Sequence, residues 1–119
     1  MLILIAGPYR SGTGDDPAKM AANLKALEAP SYALFAAGHV PMIGEWLALP
    51  IWNAAGGGKI GDELYEQIFH PVAHRLLALA DGVLRLPGAS TGADNDVRIA
   101  GERGIPVWHD LRDVPGVPG

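Results

Sequence analysis

The chain opens on Leu2-Ile3-Leu4-Ile5, an unbroken apolar run closed by Gly7-Pro8. Such a run reads as a central parallel strand covered on both faces, because a half-exposed strand would alternate apolar and polar residues. Asp16-Pro17 then supplies an N-cap and a proline in the first helical turn. Met20, Leu24, Leu27, Leu34 and Phe35 carry an apolar stripe from there, predicting a helix over 17–37 that Pro30 kinks or breaks near Ala29 and Gly38 ends. Residues 39–43 predict a second strand. The apolar segment from Glu45 to Asn53 and the flexible Gly56-Gly57-Gly58, a candidate hinge, make 44–60 a pocket-lining excursion. Leu64, Ile68, Val72, Leu76 and Leu77 recur at helical spacing across 62–80, with Pro71 as a kink. A third strand over 82–86, a loop over 87–91, a helix over 92–103 capped by Gly104, and a fourth strand over 105–109 complete the pattern.

Strands alternating with helices imply crossovers and a parallel sheet in the order 2-1-3-4, with room for a fifth strand. The fold class is therefore α/β, a three-layer sandwich with one domain over 1–113 and a frayed tail over 114–119, where two prolines and two glycines follow Val114. In such a sheet, ligand-binding groups gather at the carboxyl ends of strands one and three, beside the topological switch point. Two loops fall there: 7–16 and 87–93.

Composition narrows what those loops do. The 119 residues suit one domain. Nine Lys and Arg against thirteen Asp and Glu give a net charge of −4, and no basic run exists to track a phosphate backbone, so a nucleic-acid polymer is not the expected partner. The chain has no cysteine, which excludes a disulfide scaffold, a thiolate nucleophile and Cys-ligated metal, and fits a reducing cytoplasm. The N-terminal apolar stretch is too short for a signal peptide or membrane span. The expectation is a soluble, cytoplasmic protein. Sixteen glycines and ten prolines are well above the usual combined share of about 12%, which places the excess in ordered loops.

The loop Pro87-Gly88-Ala89-Ser90-Thr91-Gly92-Ala93-Asp94-Asn95-Asp96 joins a strand end to a helix start through small residues. Unpaired N–H groups there form an anion site, to which Ser90 and Thr91 add hydroxyls; equally, either can simply cap the helix. The loop Gly7-Pro8-Tyr9-Arg10-Ser11-Gly12 follows a strand but has neither a Walker lysine nor GxGxxG, so no ATP or dinucleotide cofactor is expected. Glu45, Trp46 and Trp52 can form a base-stacking wall with a polar handle, or an apolar oligomer contact. Asp81 is a strand-start cap or a ligand. The four histidines have no HExxH spacing; His70 and His74 lie at i, i+4 without an evident third ligand, so no metal is expected. Ser90 lacks a nucleophile-elbow context.

Three short motifs in order, Ala6-Gly7-Pro8-Tyr9, Ala80-Asp81-Gly82-Val83 and Ser90-x-Gly92-Ala93-x-x-Asp96, resemble the nucleoside 2-deoxyribosyltransferase superfamily across residues 1–109. That superfamily includes nucleoside deoxyribosyltransferases and nucleotide N-glycoside hydrolases. The resemblance implies a flavodoxin-like, or Rossmann-like, fold and cleavage or transfer of an N-glycosidic bond. It makes Asp96 the nucleophile, in place of the family's Glu and one carbon shorter, and Tyr9 the aromatic residue beside it. Gly7, Ser90 and Gly92, with Arg10, Ser11 and Gly12, match the groups that hold substrate and its 5′-phosphate. Relatives carry an Asp about two helical turns before the strand-three Asp; this chain has Val72-Ala73-His74, and His74 is the candidate replacement acid. The alternatives are a non-catalytic nucleotide-binding module of the same fold and a "lonely guy"-like phosphoribohydrolase, which shares only Pro87-Gly88 and Gly92. The apolar cluster Trp46, Leu47, Leu49, Ile51 and Trp52 predicts a homodimer or higher homo-oligomer.

Overall fold

The computed structural model describes residues 1–59 and 61–118. Its strands are β1 (Leu2–Ala6), β2 (Val40–Ile43), β3 (Gly82–Arg85) and β4 (Val107–Trp108), and its helices α1 (Pro17–Glu28), α2 (Ser31–Ala36), α3 (Gly44–Ala54), α4 (Glu63–Leu79) and α5 (Thr91–Glu102). The described strands form one all-parallel sheet in the order β2-β1-β3-β4, as the alternation of elements predicts. Ile5 pairs with Ile43 on one side and Leu84 on the other, so the strand ends that carry the functional loops are level.

Alternate residues of β1 enter opposite layers, which explains its unbroken apolar sequence. Ile3 and Ile5 pack with Leu27 of α1 and Leu34 of α2; Leu4 and Ala6 pack with Ala48 of α3, Val72, Leu76 and Leu77 of α4, and Ala93 and Ala100 of α5. Each large aliphatic side chain so buried contributes roughly 1.5–3 kcal/mol. Three helix starts are fixed by side chains that accept backbone N–H bonds: Asp16 from Ala18, Asp62 from Tyr65 and Ser90 from Ala93. The helix expected over 17–37 divides into α1 and α2 at Ala29-Pro30, where proline removes a backbone donor.

Three expectations need correction. The segment read as an excursion over 44–60 is largely the helix α3, which starts without a side-chain cap and accommodates Pro50; Ile60 lies outside the described residues. Gly57, read as part of a hinge, is a close-packing point, because a Cβ there would fall 2.2 Å from the Trp52 ring. The tail is docked and does not fray: Val114 is 2% exposed in the α1/α2 layer, Val117 packs on the same cluster, and His39 Nε2 lies 2.6 Å from the Pro115 carbonyl oxygen. Gly119 lies outside the described residues. Much of the apolar set 46–52 is also used within the chain: Ala48 and Trp52 are buried, whereas Leu47 and Ile51 are exposed. Among the described residues, no helix is long and apolar enough to cross a membrane.

Candidate active site

A cleft of about 540 Å³ opens at the carboxyl ends of β1 and β3. Its floor is the end of β1 with Gly7, where a Cβ would crowd Leu27 at 3.0 Å and Leu86 at 3.2 Å. Two loops lean together above it: Gly88, at φ +112°, leaves so little room that a Cβ would meet Pro8 at 2.7 Å. Asn23 of α1 donates to the Tyr9 carbonyl at 2.8 Å and ties the first loop to the helix behind it.

Most of the residues singled out in the sequence converge here. Gly7, Tyr9, Arg10, Ser11, Glu45, His74, Ser90, Gly92 and Asp96 all line the cleft. Gly12, Trp46 and Asp81 do not. Gly12 is an exposed turn residue at φ +73°. Trp46 packs in the α1/α2 layer, its indole N–H donating to Glu28 at 2.8 Å, and Trp52 donates to Asp62 at 3.3 Å with its ring edge-on to Tyr65; neither forms the stacking wall. Asp81 accepts from the Leu2 backbone N–H at 2.8 Å at the opposite, amino end of the strands, which makes it a strand-start tie.

The aromatic wall comes instead from residues the sequence reading missed. Tyr65 and Phe69 of α4 stack at 3.8 Å between centroids, and Tyr9 lies parallel to Phe69 at 6.5 Å. Their spacing, Tyr65, Phe69 and Ala73 at i, i+4 and i+8, is a second stripe beside the core stripe of α4, and it is the signal that identifies them.

The charges also pair differently from the anion-binding expectation. Arg10 donates through Nε and Nη2 to both oxygens of Asp15, at 2.6 and 3.2 Å, and through Nη1 to Glu66 at 3.3 Å, and its guanidinium lies 5.6 Å from the Tyr65 ring centroid. Its fork is filled by two carboxylates, and the bond from Arg10 holds the Asp15 carboxyl below its usual range. Ser90 is the N-cap of α5, with its oxygen accepting from Ala93 at 3.1 Å, and it also faces the cleft. The acidic residue in the first turn of α5 is Asp94, paired with the buried Arg85 at 2.9 Å. Asp96, two residues further on and past the first turn, is therefore not the charge that answers the helix dipole.

Asp96 faces the cleft with burial, then the nearby Glu45, pushing its carboxyl up to about 7; His70 and Arg85 pull the other way. Burial raises Glu45 too, partly offset by a hydrogen bond from its own backbone N–H. Tyr9 and Tyr65 are both held as phenols, above their ordinary range, by burial first and by neighbouring charge second. His70 pairs with Glu66 at 2.7 Å, and exposed His74 reaches Asn95 at 3.4 Å at the rim, so the two histidines face separate partners. Among the described residues, no three His, Asp or Glu side chains converge as a metal site.

Comparisons of the chain with protein-family models, with curated proteins and with solved structures find no match.

Proposed function

We propose that the protein cleaves or transfers the N-glycosidic bond of a nucleoside or nucleoside 5′-monophosphate, with Asp96 as the nucleophile. The observation that carries this reading is one cleft holding both a half-buried carboxyl on α5 and a stack of three aromatic rings. A planar base stacks on Tyr9, Phe69 and Tyr65. The Asp96 carboxylate stabilises the oxocarbenium-like transition state and captures C1′ as a glycosyl ester; water then gives hydrolysis and a second base gives transfer. Tyr9, kept protonated, donates a hydrogen bond to the carboxylate or the sugar. A 5′-phosphate meets the N-terminal backbone of α5 at Thr91 and Gly92, but it has to compete with Asp15 and Glu66 for Arg10.

In this proposal the enzyme is cytoplasmic and homo-oligomeric, the first supported by its lack of cysteine and the second by exposed Leu47 and Ile51 on α3. A chromatographic screen of nucleosides and 5′-monophosphates for released base tests the activity. The expected result is base release by the unaltered protein and none by Asp96→Asn, with ligand binding retained. Binding without release or transfer would favour the non-catalytic module instead, and near-normal turnover by Asp96→Asn would remove Asp96 as nucleophile.

A further inference from the structure

Breaking an N-glycosidic bond leaves an electron pair on the base, and a base that departs as an anion departs slowly. The reaction proposed above therefore needs an acid on the base side of the cleft. His74 is poorly placed for it, being exposed at the rim beside Asn95. His70 is engaged with Glu66, while Asp15 and Glu66 are both engaged with Arg10. Tyr9 and Tyr65 hold their protons too tightly to release them readily near neutral pH. Of the four carboxyls that line the cleft, Glu45 and Asp96 alone make no ion pair or side-chain hydrogen bond with another described residue.

Their placement follows from the topology. Glu45 is the second residue after β2, and Asp96 lies in the helix that follows β3, while β2 and β3 flank β1 on opposite sides. Two strand spacings, about 10 Å, separate β2 from β3, so the two residues approach the floor at Gly7 from either side. Both residues line the same cleft of about 540 Å³. Glu45 is also the shared electrostatic neighbour of Tyr9, Tyr65 and Asp96, which puts it beside the aromatic wall on which a base would stack.

We propose that Glu45 is the second catalytic carboxyl of this cleft, the acid that protonates the departing base while Asp96 takes the sugar. The assignment rests on the N-glycosidic reading. As the C1′–N bond breaks, its electron pair goes to the base nitrogen, the Glu45 carboxyl gives its proton to a ring nitrogen of the base, and an Asp96 oxygen forms the bond to C1′. In the second half, water attacks C1′, its proton returns to Glu45, and Asp96 leaves as a carboxylate. Two carboxyls in one desolvated cleft resist ionising together, so the pair retains one proton near neutral pH. Positive charge developing at C1′ favours the microstate in which Asp96 is ionised and Glu45 holds that proton.

The test compares Glu45→Gln, Glu45→Asp and Asp96→Asn on two substrates: a purine nucleoside that the unaltered protein turns over, and the nicotinamide N-glycoside of the same sugar, whose pyridine departs neutral without a proton. Glu45→Gln is expected to lower kcat on the purine nucleoside by about 10²–10⁴-fold, and on the nicotinamide glycoside by less than about tenfold, with Glu45→Asp recovering part of the loss. Carboxyl ¹³C NMR of the free protein adds a readout independent of turnover. In Glu45→Gln the midpoint of Asp96 is expected to move down from about 7, because the raising charge is gone while His70 and Arg85, which lower it, remain. Equal losses on the two substrates, no loss on either, or an unmoved Asp96 midpoint would overturn the acid role of Glu45 and leave the nucleophile intact. Failure to find any nucleoside, nucleotide or nicotinamide glycoside from which the unaltered protein releases a base would overturn the N-glycosidic reading, and the Glu45 role with it.

Discussion

Replacing Asp96 by Asn separates what this residue does for chemistry from what it costs the fold. Burial and Glu45 move its carboxyl from an ordinary 3.8 to about 7. At about 1.4 kcal/mol per pH unit, that displacement has a ceiling of about 4 kcal/mol; because the cleft opens to solvent, about half, or 2 kcal/mol, is the expected size. The folded state holds the Asp96 proton more tightly than the unfolded state does. The stability tied to that proton is therefore fully present below about pH 4 and is lost as pH rises to about 7. An amide has the shape of the protonated acid and nothing to ionise. Asp96→Asn should thus match the unaltered protein near pH 4 and exceed its stability by about 2 kcal/mol at pH 8, while having no turnover. Urea unfolding of both proteins at half-unit steps between pH 4 and 8 measures the difference, from which titrating groups that do not interact with Asp96 cancel, leaving Asp96 and its coupling to Glu45. A difference that stays constant across this range would refute the claim that Asp96 is desolvated, as would a variant less stable at pH 8.

Three further outcomes follow from particular contacts. Phe69→Ala removes the middle ring of the stack, and calorimetry should show nucleoside affinity falling about 5- to 150-fold, since base–aromatic stacking is worth about 1–3 kcal/mol. Ser90→Ala deletes the oxygen that accepts from Ala93 and should cost about 1 kcal/mol in urea unfolding, whereas Ser90→Thr should keep most of it. Val114→Ala should lower stability by about 1–3 kcal/mol; an unchanged midpoint would show that the tail does not contribute to the core.

The sheet was legible because its central strand has only one use. A run such as Leu2 to Ile5 needs cover on both faces, and the caps Asp16, Asp62 and Ser90 mark where the covering helices begin. The helix α3 was obscured because it has the opposite surface signals: a glycine first, no capping side chain, and Pro50 inside. What decides it is tertiary, with Ala48 buried against α4 and the sheet, and Trp52 closed over by Gly57. The docked tail was hidden for the same reason. Its composition is that of a frayed end, and its anchors lie far back in the chain: His39 is 76 residues before Pro115, and Leu27 and Leu34 of the α1/α2 core come earlier still.

Within the cleft, position along the chain located most of the lining residues and said little about how their charges pair. Arg10 follows a strand in a small-residue loop, which is where an anion ligand sits, yet its fork is occupied by Asp15, held at φ +61° five residues on, and by Glu66 from α4. Glu45 was grouped with two tryptophans because they are neighbours in sequence. On a helix, however, adjacent residues point about 100° apart, so Trp46 turns to the α1/α2 layer while Glu45 stays over the cleft. The same rotation on α4 places Tyr65 and Phe69 beside the core stripe and lining the cleft. A fold of this kind can be read from where apolar residues recur, but the chemistry of its cleft depends on which charges find partners across elements. Here that pairing occupies Arg10 with Asp15 and Glu66 and leaves Glu45 and Asp96 lining the cleft without an ion-pair partner among the described residues, which is why the proposed chemistry is assigned to the carboxyls and not to the arginine.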